Sequence, residues 1–180
     1  MKVLLDTCVL YPTVMREVLL AVAHTGAFQP LWSERILEEW ARAARKLGPT
    51  GEPQARAEIA LLRVHWSKAV VTWPPSLENR LYLPDPDDVH VLAAAIAGSA
   101  DVLLTMNAKD FPKHTLAEEG LSRQTPDELL YYCWLDAPER VAAAIEKVRQ
   151  QADHLSGDTW DIRKLMKKAR LPRLGKALSQ

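Results

Sequence analysis

The short apolar run Val3-Leu4-Leu5 stops abruptly at Asp6, and this junction constrains the fold more than any other stretch of the 180-residue chain. An unbroken apolar run of strand length, without alternation, reads as a strand covered on both faces, as in a parallel sheet. A second such run, Asp101-Val102-Leu103-Leu104-Thr105, leads into the polar loop Met106 to Phe111. Val70-Val71-Thr72-Trp73 is a third strand-like stretch, ended by Pro74-Pro75. Between these runs, apolar residues recur at helical spacing. Parallel strands need crossover connections, so the alternation predicts an α/β fold: a three-layer body with a central parallel sheet. Ligands of open parallel sheets lie beyond the C-terminal strand ends, where Asp6 and the loop from Thr105 to Asp110 fall.

The helical stretches follow from their punctuation. Val14, Val18, Leu19 and Val22 share a face in a helix predicted over residues 12–23. Ser33 can cap a second helix reaching residue 47, closed by Gly48-Pro49, and a third covers 53–66. Asp85 as cap and Pro86 in the first turn open a helix to residue 97, with Gly98 suited to its end. After Thr125-Pro126-Asp127 only helices are expected: 126–134, one from Pro138 with Val141, Ala144, Ile145 and Val148 on one face, and 159–170. The expected division is a body of residues 1–125 and a C-terminal helical extension of 126–180, with no repeat and no long linker.

Composition excludes several classes. With 48% hydrophobic and 26% charged residues the chain suits a soluble globular protein. No apolar run approaches the roughly 18 residues that span a bilayer. Strand-like residues begin at Lys2, leaving no room for a targeting segment, so a cytoplasmic protein with no membrane partner is expected. Cys8 and Cys133 lie far apart without metal-type spacing and read as reduced, small core residues. The five histidines are scattered, and the six tryptophans read mostly as core anchors. The formal net charge of zero conceals an asymmetry. Beyond Asp161 there are seven bases and no acid, which leaves 16 bases against 23 acids in residues 1–162, a net of −7. An acidic body binds nucleic acid poorly unless cations or local bases compensate.

Magnesium and manganese take oxygen ligands, and phosphodiester hydrolysis gains from a metal that activates water and neutralises charge. The chemistry needs carboxylates from distant segments meeting at one sheet end. Asp6 stands at a strand end, where the alternative role is capping the next turn. Glu38 and Glu39 share a helix whose apolar face centres near Trp40. At about 100° per residue, Glu39 borders that face while Glu38 lies opposite and should be solvated. The alternative makes both surface charges flanked by Arg35 and Arg42. Asp88 shares a face with Val91, Leu92, Ala95 and Ile96 and points inward, whereas first-turn stabilisation is already served by Asp85 and Asp87. Those two are backup ligands.

The strings Leu4-Leu5-Asp6-Thr7-Cys8-Val9-Leu10-Tyr11-Pro12, Trp32-Ser33 to Glu39-Trp40, Pro84-Asp85-Pro86-Asp87-Asp88-Val89-His90-Val91-Leu92-Ala93-Ala94-Ala95 and Leu104-Thr105-Met106-Asn107-Ala108-Lys109-Asp110-Phe111-Pro112 occur in that order. Together they resemble PIN-domain proteins over residues 1–125, and the extension resembles the helical tail on one branch of VapC-type toxins. The resemblance implies a three-layer PIN-like domain and a Mg2+- or Mn2+-dependent endoribonuclease. It also implies partners: an RNA substrate, an antitoxin that plugs the site, and a homodimer. By position it implies Asp6, Glu39 and Asp88 as acidic ligands. The fourth family acid would follow Thr105 by two residues, where this chain has Asn107; Asp110 is the other candidate for that place. Arg16 falls where this branch commonly has an arginine, for contact with phosphate or antitoxin, or simply as a solvated surface residue. Lys164, Lys167 and Lys168 are candidate contacts for RNA or an acidic partner.

Two other functions compete. A haloacid-dehalogenase-like phosphatase needs a second aspartate two residues after the first, and here that residue is Cys8. A non-catalytic RNA-binding or protein-interaction module could keep the acidic pocket without turnover. The helical-face argument is tested by paired substitutions: Glu39→Gln should reduce metal-dependent RNA cleavage far more than Glu38→Gln, and equal losses in turnover would refute it.

Overall fold

Four short strands form one sheet in the order β2-β1-β3-β4: β1 (Lys2–Leu5), β2 (Gln29–Leu31), β3 (Val102–Leu104) and β4 (Ser122–Gln124). In this computed structural model, which describes residues 1–179, β1 pairs in parallel with both neighbours. The register sets Leu4 beside Leu31 on one side and Leu103 on the other. Val3, Leu4, Leu5, Leu103 and Leu104 are fully buried, as unbroken apolar strands require. Helices α1 (Thr7–Leu10), α3 (Glu34–Ala43), α4 (Gly51–His65), α5 (Pro75–Glu78), α6 (Val89–Ala97) and α7 (Lys113–Glu118) fill the connections of this part of the chain. The Ser33 hydroxyl caps α3 by accepting the Ile36 N–H at 3.2 Å. α6, almost wholly apolar, packs on β1 and β3.

The backbone divides into two compact units. The first comprises Met1–Tyr11 with Gln29–Arg123; the second comprises Pro12–Phe28 with the segment from Gln124 on. In the second, α2 (Thr13–His24) packs against α8 (Pro126–Asp136) and α9 (Pro138–Ser156), while α11 (Pro172–Ala177) packs against α8 and α10 (Ile162–Lys168). α8 opens with a capping box in which the Glu128 N–H reaches the Thr125 hydroxyl and the Glu128 carboxylate accepts the Thr125 N–H. α9 ends at Gly157, whose φ of 72° favours glycine. Asp161 caps α10 by accepting the Lys164 N–H at 2.9 Å. The Asp127 carboxylate accepts the N–H groups of Arg173 and Leu174, each at 2.9 Å, and so docks the start of α11 on α8.

Several sequence expectations need correction. Val70 forms only an isolated bridge to Trp32, and the prolines that follow Trp73 have no N–H to continue a ladder. Gly98 closes α6 with φ of −75°, so left-handed freedom is not its role; Ser99 takes that conformation at φ 52°. A Cβ at Gly98 would stand 2.8 Å from Leu31 Cδ1 and 3.0 Å from Val71 Cγ2, so close packing requires the glycine. Trp32 and Trp40 are core residues, whereas Trp66, Trp73, Trp134 and Trp160 are partly exposed. Arg16 is 3% exposed and lies 3.7 Å from Glu17, which rules out the solvated surface arginine. No helix among the described residues is long and apolar enough to cross a membrane.

Asp127→Ala removes both acceptors for the first N–H groups of α11, each a bond to a charged group. The variant should be about 2 kcal/mol less stable in urea unfolding, and an unchanged midpoint and slope would contradict this docking role.

Candidate active site

Asp6 leaves β1 with extended backbone (φ −72°, ψ 157°), and its N–H bonds the Leu104 carbonyl at 3.1 Å. Its side chain makes no capping bond to α1, which removes the turn-forming alternative. Asp6 is 6% exposed, and only one carboxylate oxygen is engaged. Oδ2 accepts the Thr105 hydroxyl at 2.7 Å and the Cys8 thiol at 3.0 Å; Oδ1 has no hydrogen bond among the described residues. Thr105 Oγ1 in turn accepts the Asn107 N–H at 2.9 Å, tying the following loop to Asp6. Burial, then the charge of Asp6, pushes the Cys8 thiol up to about 12, so it remains a protonated donor. Its sulfur also accepts the Met106 N–H at 3.2 Å. Cys8 is a free thiol with a polar role in the site, not merely core filling.

Three other acids converge on one another. Carboxylate oxygens of Asp85, Asp88 and Asp110 all lie within 4.8 Å of one another. Asp85 and Asp88 bracket the turn Pro86–Asp88, where Asp85 accepts the Asp87 N–H at 3.0 Å and Asp88 makes no capping bond to α6. The half-buried Asp88 carboxyl is raised to about 6 by burial first, then by the charges of Asp6, Asp85 and Asp110, against a smaller opposing effect of His90. The Asn107 amide nitrogen donates to Asp110 at 2.5 Å and to Asp88 at 3.4 Å, so its N–H, rather than its oxygen, faces the acids. The loop is fixed: Arg123 donates to the carbonyls of Ala108 at 2.5 Å and Phe111 at 2.6 Å, and the Phe111 ring is fully buried. Asp110 therefore stands with its carboxylate within 4.8 Å of that of Asp88.

Glu39 is not in this trio. Its Oε2 accepts the Thr7 hydroxyl at 2.9 Å, and Oε1 lies 3.4 Å from Arg35 and 2.9 Å from His90 Nε2. His90 is 1% exposed, and its Nε2 stands close to Glu39 Oε1 without the alignment of a hydrogen bond. Burial pushes the Glu39 carboxyl up, but His90, Thr7 and Arg35 outweigh it and hold it below its ordinary value. Glu38 and Glu39 differ in partners rather than exposure: their side chains are 37% and 38% exposed. Glu38 is not freely solvated but paired with Arg56 and Arg42, which bring its carboxyl down to about 2.

Sequence reasoning overlooked Thr7, Thr105, His90 and Arg123. Thr105 directly follows the end of β3 and Thr7 directly follows Asp6, positions that could have marked them. Nothing local distinguishes His90 or Arg123, whose roles depend on partners far away in sequence. Arg16, Lys164, Lys167 and Lys168 belong to the second unit.

Electrostatics define what this arrangement can hold. None of Asp6, Asp85, Asp88 and Asp110 pairs with a basic side chain among the described residues. Three carboxylates with oxygens within 4.8 Å of one another, one of them raised in pKa by burial and then by the charges of Asp6 and its two partners, suit a divalent cation. A family model described as PIN domain matches residues 2–109. No curated protein and no solved structure matches the chain.

The folded pKa of Asp88, about 6, exceeds the unfolded value of about 3.9. Between them the folded state holds the extra proton, so this carboxyl costs stability as pH rises through the window. In metal-free buffer, Asp88→Asn should therefore melt above wild type at pH 7–8, with the gap closing as pH falls toward 4. A melting difference that does not vary with pH would show that Asp88 is not electrostatically strained.

Proposed function

The chain belongs to the PIN-domain family, and on that premise we propose that it is a Mg2+- or Mn2+-dependent endoribonuclease, the VapC-type toxin of a toxin–antitoxin pair. PIN domains are typically metal-dependent nucleases, and residues 1–125 would form the nuclease domain with 126–180 as its helical extension. One observation carries the reading: Asp85, Asp88 and Asp110 converge within the field of a buried Asp6, with no basic side chain paired to any of them among the described residues.

Asp6, Asp88 and Asp110 would hold the ion, with Asp85 as a further oxygen donor. When bound, the ion supplies Lewis acidity toward water and the scissile phosphodiester. The protein groups prepare its place. Thr105 and Cys8 occupy one oxygen of Asp6 and leave the other open. Asn107 holds Asp88 and Asp110 in register through its amide N–H, which makes it a positioning residue and leaves Asp110 as the fourth acid. Glu39, kept ionised by its neighbours, contributes negative charge at the margin and a base able to accept a proton. RNA is the substrate in this reading. An antitoxin would silence the enzyme by covering the acids, and a homodimer and a cytoplasmic location complete the assignment.

The decisive experiment follows RNA length with time in Mn2+. Asp6→Asn and Asp88→Asn should each lower cleavage by about 100-fold or more while retaining a cooperative thermal transition. Full activity in a folded Asp6→Asn protein would sink the proposal. RNA that is shifted but never shortened by wild type would identify a binding module instead.

Asp110→Asn should raise the Mg2+ concentration needed for half-maximal cleavage more than Asn107→Ala does. The reverse order would make Asn107 the ligand.

A further inference from the structure

The arginines of the first unit and those of the C-terminal segment are treated differently. Arg35, Arg42, Arg45, Arg56, Arg63 and Arg80 each pair with a glutamate. On α9, Arg149 pairs with Glu146 and Asp153. The seven bases beyond Asp161 are all exposed, and none of them forms an ion pair among the described residues. That segment contains no acid at all, so every charge it adds is positive, which favours a polyanion.

Aromatic rings stand among these cations. The Arg173 guanidinium lies 3.8 Å above the Tyr131 ring and 5.7 Å from Tyr132. Tyr131 stacks on Trp134, with centroids 6.0 Å apart and planes at 27°. Lys168 Nζ is 4.7 Å from the Trp160 ring, and that indole is held by its N–H to Ser156 at 3.1 Å. Tyr132 is 55% exposed, although α8 has a buried side that could have taken an aromatic residue. Docking of α11 through Asp127 holds Arg173 in register with these rings.

We propose that this α8–α10–α11 surface binds single-stranded RNA, with phosphates on the unpaired bases and nucleobases stacked on Tyr132 and the neighbouring rings. The chemistry selects among polyanions. An acidic polypeptide would need the cations but not exposed rings beside them. A duplex hides its base faces, so it too would leave the rings unused. Single strands use both features, because every base has a stacking face and every linkage a charge. The inference rests on the ribonuclease reading only for its choice of RNA as the polyanion, and its test needs no cleavage.

Binding of a labelled oligouridylate to the full chain is followed by anisotropy in EDTA, across a salt series. The same RNA annealed to its complement, and polyglutamate as competitor, serve as comparisons. Tyr132→Ala should weaken oligouridylate binding about tenfold with an unchanged salt slope, and should not affect the duplex. Lys167→Gln with Lys168→Gln should flatten the slope of log affinity against log salt by about 1.4, at roughly 0.7 for each of the two phosphate contacts. These substitutions replace exposed groups, and a thermal melt verifies that each variant is folded. Wild-type affinity in both variants overturns the proposal. So does equal competition by polyglutamate together with no effect of Tyr132→Ala, which would mark a surface for an acidic protein. If wild type binds in this manner yet never shortens RNA in Mn2+, the ribonuclease reading fails and the binding surface stands.

Discussion

Carboxylates that meet without a basic partner repel each other, and much of the first unit is arranged to hold such a group together. Asp6 arrives on a buried parallel strand that cannot shift without disturbing both neighbouring ladders. Asp85 and Asp88 are spaced by a tight turn at the start of α6. Asp110 stands in a loop anchored by Arg123 and by the buried Phe111 ring. Burial first, and then the charges of Asp6, Asp85 and Asp110, raise the Asp88 carboxyl to about 6. A protein retains a cost of this kind where a ligand of opposite charge repays it, and oxygen-rich sites of this composition serve divalent cations.

The groups around the acids separate orientation from charge. Thr7 and Thr105 donate hydroxyl bonds to Glu39 and Asp6, and Cys8 adds a thiol bond, none of which introduces a competing positive charge. Glu39 has Arg35 and His90 beside it, whereas His90 acts on Asp88 only as the smallest of the influences on its carboxyl. Glu39 is accordingly held below its ordinary pKa while Asp88 is held above. The two acids thus differ in proton affinity because their surroundings differ.

The C-terminal segment shows the opposite sign of the same principle. Where the first unit pairs its surface arginines with glutamates, the region beyond Asp161 leaves its bases unpaired and sets two of them over aromatic rings. Surface ion pairs contribute little stability, so their absence costs the fold little while leaving the potential free for a partner.

Legibility in the sequence followed the range of the interactions. The α/β class, the strands holding Leu4 and Leu103, the helix starts at Ser33 and Pro126, and the acids at strand and helix ends were all readable, because apolar periodicity and caps are local signals. The three-residue strands β2 and β4 were not, since Gln-Pro-Leu and Ser-Arg-Gln have no period and become strands only by pairing with a neighbour. The grouping of α2 with α8 and α9 was equally hidden, because chain order says nothing about which distant helices share a core. Among site residues, helical phase separated Glu39 from Glu38 in position, but tertiary partners decided how they differ. Sequence supplied Asp85, Asp88 and Asp110 as candidates, and tertiary structure alone brought their oxygens within 4.8 Å of one another and turned the Asn107 N–H toward Asp88 and Asp110. Local residue order determines which chemistry a chain carries; contacts across tens of residues, fixed by burial of the sheet, determine which of those groups meet.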